Sequence, residues 1–227
     1  MSSIRIIFLG TSSAIPTSTR GLSSVAVIRD GVVHLFDAGE GIQSSFIQNK
    51  IGLNKETHIF ITHMHGDHLG DRRLRAVGAG TCANSERVPV PNSMTAEVVV
   101  AKNAVLVTTR AMAGFVASEV EDMGGQSLSV CSQPVAATVP VEVACRSSMD
   151  VGGMFVAKTA DAAQGVEITI VHASHVNNAP PALLSEAQRM TLEANGAVLE
   201  YGPPTGYVVK FTNGLTAYLT GDNGNQS

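Results

Sequence analysis

The sequence predicts an α/β protein in which β-sheet layers are covered by helices. Short segments rich in β-branched residues end at turn residues near the N-terminus, and Asp30-Gly31 between two of them is a strong hairpin signal. With 227 residues, of which 44% are hydrophobic and 15% charged, the chain can bury one substantial core. The first segments expected to be strands are 4–9, 24–29, 32–37 and 58–62.

Helices and further strands follow these segments. Residues 41–50 are expected to form a helix, because Ile42, Phe46 and Ile47 fall on one face. Residues 94–122 are expected to hold a helix, a strand at 104–108 and a second helix, and 126–150 short strands and loops. A buried strand at 166–171, a helix at 182–194 and a hairpin of 207–211 with 215–219 complete the prediction. No linker divides the chain, so residues 1–227 are expected to form one domain.

Composition limits the partners and the cellular compartment that are expected for the protein. A net charge of −4 offers no global attraction to nucleic acid. Cys82, Cys131 and Cys145 have no close pairing motif, so a disulfide framework is not expected and a reducing compartment fits, with a pair between Cys82 and one of the others left open. No apolar run is long enough to span a bilayer, and the N-terminus lacks the shape of a signal peptide. A cytoplasmic protein that does not engage membranes is therefore expected.

A dense group of potential metal ligands follows the strand predicted at 58–62. His63, His65, Asp67 and His68 lie within six residues. Alternate residues of an extended segment point to the same side, so His63 and His65 can hold one ion, and Gly66 allows a turn that brings Asp67 and His68 to a neighbouring ion. Imidazole and carboxylate groups suit Zn²⁺, with Mn²⁺ or Fe as alternatives at the second position. The competing interpretation is a polar loop that is rich in histidine by chance.

The spacing His-x-His-x-Asp-His resembles the signature of the metallo-β-lactamase superfamily. Three further segments, 8–17, 20–24 and 36–41, are similar to the opening of the ribonuclease Z branch of that superfamily. The resemblance implies an αββα sandwich with metal ions at one edge of two sheets. It also implies a hydrolase, in this branch one that processes the 3′ end of transfer RNA.

The second half of the chain resembles a different branch. Where ribonuclease Z continues with a Gly-Leu-Pro-Gly-Leu-Leu-like helix, this chain has Asp71-Arg72-Arg73-Leu74-Arg75. From about residue 150 it is similar to uncharacterised metal-dependent hydrolases of the same superfamily, at Gly152-Gly153 and at 170–175, 201–207 and 218–222. A hybrid chain with a junction near 70–75 is therefore a hypothesis.

The resemblance implies the remaining site residues. His175 matches the third imidazole of the first metal, with His172 as the competing candidate, and Asp222 matches the carboxylate that bridges both metals. Asp37 matches a buried carboxylate that orients ligands. Glu40 is a weaker candidate for a site residue, and its role could be limited to capping the following helix. Asp67 could position the attacking water as well as bind metal, and His172 is the candidate proton donor to the leaving group.

The superfamily pattern also includes a last metal-binding His well after the bridging Asp. No His follows Asp222 in residues 223–227. A truncated chain, a weakly held second ion, or a partner that completes the site would each account for this, and apolar surface left uncovered would favour a homo-oligomer.

The motif and the resemblance lead to three hypotheses about function. The first is a hydrolase of phosphodiester, ester or lactone bonds that uses one or two Zn²⁺ ions on a small-molecule or RNA substrate. The second is a ribonuclease Z-like endoribonuclease, and the third is a metal-binding protein without catalysis.

Overall fold

The computed structural model describes residues 3–13, 17–39, 41–52, 54, 57–72, 92–122, 126–132, 136–139, 141–178 and 184–222. Glu40, Arg73, Arg75 and Cys82 lie outside the described residues. The strands are β1 (Ile4–Gly10), β2 (Ser24–Arg29), β3 (Val32–Phe36), β4 (Thr57–Phe60), β5 (Asp71–Arg72), β6 (Asn92–Ser93), β7 (Val105–Thr108), β8 (Ala136–Val139), β9 (Cys145–Ser148), β10 (Met154–Thr159), β11 (Val166–His172), β12 (Thr205–Lys210) and β13 (Thr216–Leu219). The helices are α1 (Ile42–Gln48), α2 (Gly66–Leu69), α3 (Met94–Ala101), α4 (Arg110–Asp122) and α5 (Glu186–Ala194).

Two mixed sheets form the centre of the fold. The first has six strands in the order β1-β2-β3-β4-β7-β9, and the second has five in the order β13-β12-β11-β10-β8. A small two-stranded sheet joins β5 to β6. The β2–β3 hairpin turns at Asp30 and Gly31, whose φ angles of 49° and 84° are both positive, as this kind of tight turn requires.

Side-chain alternation along the first sheet explains the layers. Leu35 and Ile59 belong to one buried cluster, in which the sheet packs against α1, α3 and α4, whereas their neighbours Phe36 and Phe60 belong to a second cluster between the two sheets. Successive side chains of a strand point to opposite faces, so a sheet that is buried on both sides is apolar at nearly every position. The predicted α/β sandwich is therefore confirmed.

The elements near the end of the chain differ in detail from the sequence prediction. Helix α5 begins at Glu186 because Ser185 caps it: the Ser185 side chain accepts from the Gln188 N–H, and the Gln188 side chain accepts from the Ser185 N–H. It buries none of its residues, so among the described helices only those on the first sheet form a packed layer. Strand β10 was not predicted, although Phe155 and Ala157 are buried at alternate positions. No helix within the described residues is long and apolar enough to cross a membrane.

The cysteine prediction is wrong. A disulfide joins Cys131 to Cys145, 14 residues apart. The two residues meet because the segment around Val130 pairs with β9: the Cys131 N–H donates to the Arg146 carbonyl, and the Arg146 N–H donates to that of Ser129. This adjacency depends on strand pairing, which spacing along the chain does not reveal. With Cys131 and Cys145 paired, the cysteines no longer indicate a reducing compartment.

A buried histidine makes stability depend on pH. His34 is 2% exposed, its ring stacks on that of His58 at 5.1 Å, and its Nδ1 has no hydrogen-bond partner among the described residues. Burial, the neighbouring His58 and Arg29 hold the pKa of His34 well below its usual value near 6.5. The unfolded chain therefore takes up a proton at His34 that the folded protein does not, in the window that opens below pH 6.5.

We expect the free energy of unfolding to fall as the pH drops below 6.5, with His34 contributing up to about 1.4 kcal/mol per pH unit. His34→Phe, which keeps an aromatic ring against His58, should lose this part of the slope, whereas His172→Gln at an exposed position should retain it. Urea denaturation with a chelator present, repeated between pH 7 and pH 5, measures the slope of the free energy of unfolding against pH for each variant. Equal slopes for the parent protein and His34→Phe would contradict the assignment.

Candidate metal centre

The histidine-rich segment begins where the two sheets meet. Strand β4 ends at Phe60, and the carbonyls of Ile61 and Thr62 then accept hydrogen bonds from both sheets. Ile61 accepts from Thr108 Oγ1 of β7 at 2.9 Å and from Tyr207 Oη of β12 at 2.6 Å. Thr62 accepts from the N–H of Thr205 at 2.8 Å and from its Oγ1 at 2.9 Å. The backbone that enters the candidate site is therefore anchored to both layers.

Three imidazoles converge directly after this anchor. His63, His65 and His175 form what we call the three-histidine cluster, in which one ring nitrogen of each lies within 4.8 Å of the others. His63 and His65 are alternate residues of an extended segment, and His175 follows the end of β11 by three residues. His175 Nε2 lies 3.2 Å from His65 Nδ1. His63 Nε2 is buried without a hydrogen-bond partner among the described residues, which is an energetic cost unless it binds something.

A second group shares His63 with the first. His63, His68 and Asp222 form the aspartate cluster, whose ligand atoms also lie within 4.8 Å of one another. One Asp222 oxygen is 3.3 Å from His68 Nε2, and the other is 3.9 Å from His175 Nε2. The Asp222 carboxylate therefore faces one histidine of each cluster. Asp67 is on the same side, with Oδ2 3.8 Å from His68 Nε2.

The buried Asp37 carboxylate sets the orientation of His68. Asp37 is 3% exposed, and its Oδ1 accepts from the Thr62 N–H at 2.9 Å. Its Oδ2 accepts from Thr62 Oγ1 at 2.8 Å and lies 2.6 Å from His68 Nδ1. Because Nδ1 is engaged by Asp37, His68 presents Nε2 to Asp67 and Asp222. A carboxylate that binds the far nitrogen of an imidazole in this way is typical of histidines that bind metals.

The charges of the two clusters differ. Burial, with the nearby His68 and His65, lowers the pKa of His63 to about 2, and burial with His175 lowers that of His65. Burial would also lower the pKa of His68, but Asp37 and Asp222 outweigh it and raise that pKa to about 10. The hydrogen bond with His68 lowers the pKa of Asp222 to about 2. Without a cation, His68 therefore holds a proton between two carboxylates, while His63 and His65 are neutral.

These groups fit a divalent cation. Neutral imidazole nitrogens and ionised carboxylates are the forms that bind metals, and Zn²⁺ takes both kinds of ligand. His63 belongs to both clusters, and its buried Nε2, which has no hydrogen-bond partner among the described residues, supports the same interpretation. A cation at the aspartate cluster would displace the proton from His68 Nε2.

The structure brings five of the predicted ligands into the two clusters and Asp67 beside them. Of the two histidines between which the sequence left a choice, His175 lies in the three-histidine cluster, whereas His172 is exposed at the end of β11 and belongs to neither cluster. Sequence reasoning missed the anchoring side chains of Thr62, Thr205 and Tyr207. The position of Thr62 directly before the motif was the one available signal.

Comparisons with known proteins agree with this architecture. The family model described as "Anti-Pycsar protein Apyc1" matches residues 4–72. Ribonuclease Z of Nitrosopumilus maritimus is 51% identical over 65 residues, which are 29% of this chain and 22% of that protein. Ribonuclease Z of Methanococcus aeolicus is 53% identical over 66 residues, which are 29% of this chain and 20% of that protein. The chain thus matches about a fifth of the length of these curated relatives, in its N-terminal part.

Two solved structures share the fold over nearly the whole chain. Human tRNase Z, short form, superposes with a TM-score of 0.54 at 19% identity and covers 96% of this chain and 68% of that one. The metallo-β-lactamase fold protein YhfI from Bacillus subtilis superposes with a TM-score of 0.51 at 12% identity and covers 98% of this chain and 64% of that one. At these identities the likeness concerns the fold alone.

The glycine before Asp222 allows that residue to reach the site. Gly221 has a φ of +57°, and a Cβ built on it would lie 2.8 Å from Thr62 Cβ. Gly196 has the same φ of +57°, but no heavy atom lies within 4 Å of its Cβ position. A comparison of alanine substitutions at Gly196 and Gly221 therefore separates the cost of the left-handed backbone from the cost of the close approach to Thr62.

We expect Gly196→Ala to lower the free energy of unfolding by about 1–2 kcal/mol because of its backbone conformation. Gly221→Ala should lose a further ~1–3 kcal/mol, since Thr62 and the chain before Asp222 must move apart. Denaturant unfolding of both variants, with zinc affinity as a second readout, provides the measurement. Equal losses would mean that the approach of Gly221 to Thr62 does not constrain the site.

Proposed function

We propose that this chain is a metal-dependent hydrolase of phosphodiester bonds in the metallo-β-lactamase superfamily. Its fold and the similarity of its N-terminal part to ribonuclease Z support this proposal. The observation that carries the proposal is the pair of adjacent clusters that share His63. Three distant parts of the chain, around residues 63–68, 175 and 222, supply the ligands. Ligands from separate segments can be brought together only by the fold, which argues against a chance accumulation of histidine.

The residues divide between two cation positions. His63, His65 and His175 would hold the first ion, and His68, Asp67 and Asp222 would hold the second. Zn²⁺ is the proposed ion, with Mn²⁺ or Fe as alternatives for the position that has more oxygen ligands. Bound divalent ions would lower the pKa of a water to near neutrality and neutralise negative charge that develops on the substrate.

The chain supplies orientation and proton transfer. The two Asp222 oxygens face His68 and His175, one histidine from each cluster, so this carboxylate would contribute to holding both positions. Asp67, 11% exposed at its side chain, would hold the second ion and accept a hydrogen bond from the attacking water. Asp37 and Thr62 would keep the His68 ring aligned. We assign proton donation to the leaving group to His172, the exposed imidazole that lies three residues before His175.

A phosphodiester is the favoured substrate class. The curated relatives that match the N-terminal part are ribonucleases Z, at 51% and 53% identity. This match also supports the second candidate, a ribonuclease Z-like endoribonuclease that processes the 3′ end of transfer RNA. A third candidate, a metal-binding protein without catalysis, remains as an outcome of the experiment.

Metal content and hydrolysis of three substrates separate the candidates. Bis-p-nitrophenyl phosphate tests for a general phosphodiesterase, precursor transfer RNA for the endoribonuclease, and a lactone for a hydrolase of carboxylic esters. Turnover of the lactone alone would contradict the proposed phosphodiester specificity. Metal binding with no turnover of any substrate would indicate the third candidate.

His63→Ala should remove the ligand that both clusters share. We expect at least ~100-fold weaker zinc binding at the first position and an equal or greater loss of hydrolysis, because His65 and His175 alone form an incomplete site. His172→Ala is the matched control for metal content and should bind zinc like the parent protein. Elemental analysis and chelator competition give the metal content, and hydrolysis by His63→Ala at the parent rate would rule out the site.

His172→Ala should reveal whether this imidazole donates a proton. p-Nitrophenolate departs readily without protonation, whereas the ribose oxygen of an RNA needs a proton as it leaves. We therefore expect the variant to lose ~10²–10⁴-fold in kcat on RNA and to change little on bis-p-nitrophenyl phosphate. Equal losses on both substrates, or no loss on RNA, would show that another group is the acid.

A further inference from the structure

A buried amide lies beside the three-histidine cluster. Asn177 follows His175 by two residues and is 3% exposed. Its side chain makes three hydrogen bonds: Oδ1 accepts from the Met64 N–H at 2.7 Å, and Nδ2 donates to the carbonyls of Tyr201 at 3.2 Å and Gly202 at 3.0 Å. Its backbone carbonyl accepts from the Tyr201 N–H at 3.0 Å. Both donors and the acceptor of this amide are therefore used.

The partner of Oδ1 lies at the centre of the ligand segment. Met64 separates His63 from His65, and its side chain is fully buried in the cluster between the first sheet and its helices. The hydrogen bond from the Met64 N–H to Asn177 therefore holds the middle of the His-x-His segment against the loop that carries His175. The two bonded residues are 113 positions apart in the chain.

The carbonyl partners give this loop a second attachment. Tyr201 and Gly202 precede β12, whose residues Thr205 and Tyr207 anchor Ile61 and Thr62. Asn177 thus connects the His175 loop both to the His63–His65 segment and to the chain that leads into the second sheet. His65 and His175 have ring nitrogens 3.2 Å apart, and a metal site tolerates only small changes in such distances.

We propose that Asn177 is a positioning residue that sets the place of His175 relative to His63 and His65. This inference rests on the proposed metal site and adds a residue that neither binds the ion nor contacts the substrate. Removing the amide leaves the buried Met64 N–H without its acceptor and releases the loop from two carbonyls. The consequence is a wider spread of the three imidazoles, which a metal ion must then draw together.

Asn178 offers a matched control. It is the adjacent residue and the same amide, but its Oδ1 has no hydrogen-bond partner among the described residues. We expect Asn177→Ala to weaken zinc binding by ~10–100-fold and to alter the visible absorption of the cobalt(II)-loaded protein, which reports ligand geometry. Asn178→Ala should bind zinc like the parent protein and give the parent cobalt(II) spectrum.

Thermal unfolding of chelator-treated protein separates positioning from stability. Loss of melting temperature alone, with parent zinc affinity and cobalt(II) spectrum in the folded Asn177→Ala variant, would overturn the inference. Should Asn177→Ala fail to fold, Asn177→Asp keeps the size and the acceptor for Met64 but loses both donors, and it is expected to weaken zinc binding in the same direction. Absence of zinc binding by the parent protein would overturn the proposed function and this inference with it.

Discussion

The candidate site depends on one buried carboxylate. Asp37 accepts from the backbone and the hydroxyl of Thr62 and contacts His68 Nδ1, so a single group joins the end of β3, the end of β4 and helix α2. A buried carboxylate that lacked such partners would be strongly destabilising, and the three contacts offset that penalty. The same contacts present His68 Nε2 to the other ligands. Local stability and the geometry of the site therefore come from the same interaction.

The two sheets are joined at the point where the ligands begin. Tyr207 and Thr205 of the second sheet donate hydrogen bonds to Ile61 and Thr62, just beyond the last strand residue of the first sheet. Burial holds the pKa of the Tyr207 hydroxyl well above its usual value, so this group remains a donor. Rigid layers below the site and short irregular segments above it are typical of catalytic centres, because the layers fix where the loops start.

Neither the N-terminal part of the chain nor the remainder builds the site alone. The part that is homologous to ribonuclease Z supplies Asp37, His63, His65, Asp67 and His68, while the remainder supplies His175 and Asp222. Asp222 belongs to the aspartate cluster, and one of its oxygens also lies 3.9 Å from His175 Nε2 of the three-histidine cluster. Because the ligands come from both sheets, the packing of the sheets would be coupled to the proposed metal binding: a shift between the sheets would move His175 and Asp222 away from His63.

Much of the fold and the first group of ligands could be predicted from sequence, because those features are local. Short runs of β-branched residues, the Asp30-Gly31 turn and the spacing of His63, His65 and His68 each depend on residues close together in the chain. The strand β10 was missed because its alternation is short and weakly apolar. What only the tertiary structure decided is the choice between His175 and His172, the pairing of Cys131 with Cys145, and the hydrogen bonds of Asn177. Each of these depends on contacts between distant segments, whose relative placement is set by the packing of the two sheets and leaves no periodic pattern in the chain.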